Sequence, residues 1–213
     1  MLQTRLLQTH RALEQSLQKL GHVNGLSTLA LRFILVPVFW MAGMQKLNHF
    51  DSTVEWFGNS DWGLGLPLPW LLALLATATE LLGAILLALG LLTRLIAVPL
   101  IITMLVAIIS VHWENGWQAI ADPQAAFATE SVIASSEKLE RARDILREHG
   151  NYNWLTSSGK FVILNNGIEF AAIYLSMLLA LLFLGGGRYV SVDYWLMSWL
   201  YDKNIKQSSR ETD

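Results

Sequence analysis

Four stretches of this chain are too apolar to be the surface helices of a soluble protein, and they dictate its fold class. Residues 95–111 (LIAVPLIITMLVAIISV) and 170–187 (FAAIYLSMLLALLFLGGG) carry no charge, residues 69–92 carry only Glu80, and residues 27–48 carry only Arg32 and Lys46. A helix needs roughly 20 mostly apolar residues to cross the hydrocarbon of a bilayer. The pattern predicts an all-α, four-transmembrane-helix bundle with spans over 27–48, 69–92, 94–113 and 162–186. A buried soluble helical core is the alternative. It fits poorly, because 53% hydrophobic and 15% charged residues leave a chain of 213 too little polar surface.

The same composition closes other routes. A net charge of −2 disfavours nucleic acid as a partner, and the absence of cysteine excludes a disulfide framework, a thiolate metal site and dithiol chemistry. No metal site is expected from the motifs, and no phosphate-binding, zinc-protease or hydrolase signature is found. Residues 1–25 lack the apolar core of a secretory signal. Leu2, Leu6, Leu13, Leu17 and Leu20 recur there at helical spacing, so residues 1–26 read as an amphipathic cytoplasmic segment lying on the bilayer.

Between the third and fourth spans, 114–161 reads as an extracytoplasmic helical loop, with surface helices over 125–150 stopped at Gly150. Residues 187–213 read as an interfacial cytoplasmic tail rich in Tyr and Trp. Eight Lys and Arg flank the spans on the side of the termini, against five in 114–161, which are accompanied by seven acids. That asymmetry predicts both termini in the cytoplasm of a multi-pass protein of the bacterial inner membrane.

Ionisable groups inside a span are costly, roughly 2.5–3.5 kcal/mol each on insertion scales, so each is a candidate functional residue. Glu80 lies about eleven residues into the second span, ~16 Å deep at 1.5 Å per residue. Lys46 and Gln45 sit near the outer end of the first span, His112 closes the third, and Asn165, Asn166 and Glu169 open the fourth. Arg32, Phe39, Gly43 and Lys46 share a stripe on the first span. Ala76, Glu80, Gly83, Leu87, Gly90 and Arg94 share one on the second, and Asn166, Glu169, Ile173 and Ser176 one on the fourth. Glu80 is expected to meet a cation, with Lys46 preferred over Arg32 and Glu169 as a second carboxylate nearby. A structural ion pair and a ligand or proton role both fit these residues. Candidate catalytic residues are Glu80, Lys46 and Glu169; candidate ligand-binding residues are Arg32, Gln45, His112, Asn165 and Asn166.

The segment LALRFILVPVFWMAGMQKL, with Arg32, Gly43, Lys46 and Leu47, resembles the first helix of DoxX family proteins. ATATELLGAILLALGLLTRLIAVPL, with Glu80, Gly83, Leu87, Gly90, Thr93 and Arg94, resembles the second and third helices, and Met104 and His112 match the family pattern further along the third. The resemblance covers 27–113 and, more loosely, 162–186, whereas the long 114–161 insertion departs from the compact family pattern. It implies a four-helix bundle in the bacterial cytoplasmic membrane, in a family linked to thiosulfate:quinone oxidoreductase, oxidative-stress complexes and copper-peptide maturation. From residues and resemblance together, the expected function is binding of a small apolar ligand, a quinone, in the outer half of the bundle, with electrons from a periplasmic or membrane redox partner. The rival is a non-catalytic membrane scaffold whose 114–161 loop docks a periplasmic partner. A third reading is a small transporter.

Overall fold

The computed structural model describes residues 24–211; the side chains of Asn24, of Asp202 and of 204–211 are not described. The expected amphipathic helix over 1–26 falls outside the described residues, except for its last three. The described residues fall into two compact units, one within Met1–Ile101 and Met177–Asp213, the other Ile102–Ser176.

In the first unit, α1 (Asn24–Asn48) is followed by the short α2 (Phe50–Gly58), between the predicted first and second spans, and then by α3 (Pro69–Leu89). Pro69 occupies the first helical turn of α3, where a missing N–H costs nothing. Gly90 ends α3 in the left-handed region at φ +63°, and the Leu91 N–H closes the turn onto Leu86 O at 2.9 Å. The chain turns over Leu91 and Leu92 into α4 (Thr93–Ala107), so α3 and α4 form a tight hairpin. Pro37 and Pro99 lie inside α1 and α4, as membrane helices tolerate.

Small residues set the close approaches. A Cβ at Gly43 of α1 would meet the Leu81 side chain of α3 at 2.8 Å, and one at Gly83 of α3 would meet Leu100 of α4 at 2.8 Å. Leu35, Phe39, Leu87 and Leu100 are buried in the seam, while Phe33, Met41 and Leu95 stand exposed on the outer faces. Apolar side chains outward and small or polar ones inward is the arrangement lipid imposes, because lipid solvates Leu and Phe but not charge. By length and hydropathy, Gly25–Asn48, Pro69–Leu89 and Thr93–Asn115 can each cross a membrane. The third reaches that length because α4 continues through a π-turn at Ile108–His112 and a 3₁₀ turn at Trp113–Asn115.

The fourth apolar helix, α7 (Glu169–Leu184), starts seven residues later than the predicted 162. Its 16 residues reach only ~24 Å against a core of about 30 Å, a mismatch that bilayers accommodate by thinning. The cause is in the second unit. Backbone N–H groups of Asn165, Gly167 and Ile168 donate to the carbonyls of Ala119, Gln118 and Gly116 at 2.8–3.0 Å, so this stretch is extended rather than helical. Asn166 takes φ +58°, which Asn tolerates better than most residues.

That unit also holds α5 (Glu130–His149), capped by the Thr129 hydroxyl, which accepts from Val132 N, and the single-turn α6 (Tyr152–Leu155). Gly150 follows α5 directly, as expected of a stop. The chain ends in α8 (Val192–Glu211), whose Trp195, Trp199 and Tyr201 are exposed. Such side chains collect at membrane interfaces because one end is apolar and the other polar.

Candidate functional site

Glu80 and Lys46 meet. The Lys46 Nζ donates to both carboxylate oxygens of Glu80, at 2.9 and 2.8 Å. The pairing follows from an antiparallel register in which Arg32 reaches Leu87, Gly43 lies on Leu81 and Lys46 faces Glu80. Glu80 is 4% exposed at its side chain and Lys46 25%, so the carboxylate is sealed between helices and the lysine is the more open partner. An ammonium has three N–H donors. Two are on Glu80, and a third remains beside a carboxylate that accepts protons.

Arg32 is not part of this pair. Fourteen residues, ~21 Å of helix, separate it from Lys46. It is 1% exposed; Nη1 donates to Leu87 O at 3.1 Å and Nη2 to Val190 O at 2.6 Å. Its Nε has no hydrogen-bond partner among the described residues. The guanidinium therefore ties α1, the end of α3 and the segment before α8 together. Gly90 leaves it room, since a Cβ there would run into the guanidinium.

Sequence reading missed two residues that work beside Arg32. The Asp193 carboxylate accepts from Leu92 N at 2.7 Å and Thr93 N at 3.0 Å, capping α4 from about a hundred residues away. The Thr28 hydroxyl donates to Gly25 O and, at 3.3 Å, to Gly186 O. No local pattern announces either contact, because each partner is remote in sequence.

The remaining site residues belong to the second unit, apart from Gln45, which is exposed on α1. One Glu169 oxygen accepts from Ala119 N at 2.9 Å. The Asn165 amide donates to Asn115 O and Gln118 O, at 2.7 and 2.8 Å. The Asn166 carbonyl receives Asn115 Nδ2 and lies 2.8 Å from His112 Nδ1. These contacts stitch 112–119 to 165–169. Gln118, buried and bonded through both amide atoms to the Asp122 backbone, is a member that sequence reading did not single out. The predicted stripe on the fourth span is not a buried one: Ile173 is exposed, and Ser176 is exposed and bonds back to Ala172 O.

Apolar helices of membrane length, joined through a buried carboxylate and a half-buried lysine, define a helical integral membrane protein. The DoxX family model matches residues 27–113, a stretch that contains both members of the pair. The chain is 36% identical over 118 residues to "Inner membrane protein YphA" of Escherichia coli (strain K12), covering 54% of this chain and 81% of that one. It is 34% identical over 86 residues to "Putative oxidoreductase CatD" of Bacillus subtilis (strain 168), covering 40% of this chain; it spans about 60% of that relative's length. The chain belongs to the DoxX family. No solved structure gives a significant match.

Proposed function

We propose that this protein is a multi-pass inner-membrane subunit of a redox system, and that the Lys46–Glu80 pair is its ligand site, a quinone being the ligand. One observation supports the reading: a sealed carboxylate takes two of the three N–H donors of a lysine whose side chain is a quarter exposed, and the third donor is left for a ligand. That donor suits a carbonyl oxygen, and the adjacent carboxylate suits a proton in transit. A bound quinone would supply two-electron, two-proton chemistry, with electrons from a redox partner. Lys46 would hold the carbonyl and Glu80 would take up and return the proton. Gln45 would flank the pair on α1, and Arg32 would hold the opposite end of α1 and α3 closed; Glu169, His112, Asn165 and Asn166 would serve within the second unit.

The test is extraction of protein purified in mild detergent, followed by mass spectrometry. Wild type should carry near-stoichiometric quinone. The paired variant Lys46→Met with Glu80→Leu, which keeps the packing, should lose it by about tenfold or more, the effect of deleting a charged hydrogen bond. Quinone absent from the wild type, or retained by the paired variant, overturns the assignment. Glu80→Gln keeps shape and hydrogen bonding; full activity in cells would exclude the proton role.

The scaffold reading has its own observation. The second unit exposes Phe127 and Trp154, and α5 exposes Ile133 and Ile145, all outside the apolar helices. A periplasmic protein of oxidative-stress defence or copper-peptide maturation would dock there. Deleting 125–149 should then abolish the cellular phenotype while quinone content is unchanged.

The charge asymmetry supports a periplasmic second unit. Alkaline phosphatase fused after residue 150 should be active and fused after residue 213 inactive; the reverse would place the second unit in the cytoplasm and remove the periplasmic partner.

A further inference from the structure

The start of α4, the end of α7 and the start of α8 border a groove of about 490 Å³, lined among others by Arg94, Leu95, Ser191, Asp193, Tyr194 and Met197. All of it belongs to the first unit, and the Lys46–Glu80 pair does not line it. Arg94 is exposed and uses Nη2 on Phe183 O at 3.0 Å, which leaves most of its five donors open. A Cβ at Gly90 would meet both the Arg32 guanidinium and the Ser191 Cβ, so the buried Arg32 and the lining residue Ser191 both neighbour Gly90. A Cβ at Gly186 would meet the Thr93 hydroxyl at 2.7 Å. Arg32 Nε and Thr93 Oγ1 are the two buried side-chain polar atoms without a partner among the described residues, and both lie at this end.

The charges are unbalanced as well. Arg188 sits over the Tyr189 ring, 5.4 Å from its centroid, and Tyr189 packs edge-on against Tyr194 of the groove at 4.9 Å. Among the described side chains, the carboxylate in the groove lining is Asp193, and its two oxygens already cap α4, whereas Arg94 lines the groove and Arg32 and Arg188 lie near it. The outer wall is apolar and open, with Leu95 67% and Met197 66% exposed. An anionic group attached to hydrocarbon matches this combination: the anion meets the guanidinium side, and the chains lie along Leu95 on the lipid-facing flank of a membrane-length helix.

We infer that this groove binds the headgroup of an anionic phospholipid, with Arg94 as its principal contact. A basic group at a membrane surface strengthens binding of anionic lipid by about fivefold. Full-length protein in detergent is titrated with phosphatidylglycerol, phosphatidylcholine or inorganic phosphate, and retained lipid is counted by native mass spectrometry. Phosphatidylglycerol should be retained in preference to phosphatidylcholine. Arg94→Gln should weaken retention about fivefold. Arg94 also holds Phe183 O, so a second variant avoids that contact: Met197→Glu, at an exposed rim position, should weaken retention, and Met197→Lys should strengthen it. Equal retention of the two lipids, or phosphatidylglycerol binding unmoved by both Arg94→Gln and Met197→Glu, overturns the proposal. Displacement of phosphatidylglycerol by inorganic phosphate also overturns it, in favour of a soluble anion.

Discussion

Lys46→Met, made alone, should destabilise the detergent-solubilised protein by about 3–5 kcal/mol, because it strands the Glu80 carboxylate between helices. Both oxygens of that carboxylate are held by the one ammonium, and its side chain is 4% exposed, so neither water nor another cation replaces the lost partner. Glu80→Leu should cost less. The Lys46 side chain is already 25% exposed, and its long stem can carry the ammonium toward the interface. The double variant should return to within about 1 kcal/mol of wild type, since a buried ion pair is often replaced by apolar side chains of similar volume without loss. Thermal unfolding followed by tryptophan emission reads the series, with a drop of roughly 10 °C for Lys46→Met. Additive single effects, with no coupling in the double variant, would show that the pair contributes nothing as a pair.

Arg32→Ala should be as damaging for a different reason. It removes hydrogen bonds from a charged group to Leu87 O and Val190 O, each worth about 1.5–3 kcal/mol, and leaves a hole where a 1%-exposed side chain stood. Arg32→Lys should recover less than half of the loss, because one ammonium on a flexible stem cannot span two carbonyls as a planar guanidinium does. Gly90→Ala should follow the same direction: φ is +63°, which costs an L-residue about 1–2 kcal/mol, and its Cβ would displace the Arg32 guanidinium. Amide exchange across 185–193 is the local readout, and it should accelerate in Arg32→Ala and Gly90→Ala while the Lys46 variants leave it unchanged. Wild-type melting and exchange in Arg32→Ala would refute the tie between α1 and the segment before α8.

Much of the candidate site was legible in advance because charge inside hydrocarbon is rare. Glu80, Lys46 and Arg32 stand out in apolar runs, and helical spacing puts Arg32, Phe39 and Gly43 on one buried face of α1 and Glu80, Gly83 and Leu87 on one buried face of α3. The start of the fourth apolar helix was misread because composition does not register an extended stretch. Residues 162–168 contain enough apolar side chains to pass for helix, yet the Ile163 carbonyl and the N–H groups of 165–168 are spent on 116–121. The Asn165 amide and one Glu169 oxygen answer backbone groups in that same stretch, so their polar character in the sequence signals loop closure as strongly as ligand chemistry.

The amino-acid sequence alone determined the apolar helices, the bilayer as their solvent, the short junction between α3 and α4, and the cations available to Glu80. Each depends on hydropathy, periodicity or turn chemistry summed over neighbouring residues. Only the tertiary structure decided that Glu80 takes Lys46 while Arg32 takes two carbonyls, that Asp193 caps a helix about a hundred residues away, and that Arg94 borders a groove. Those outcomes rest on the register between helices. Register is set by where Gly43 and Gly83 admit Leu81 and Leu100, a matter of close packing between distant segments that no local pattern encodes.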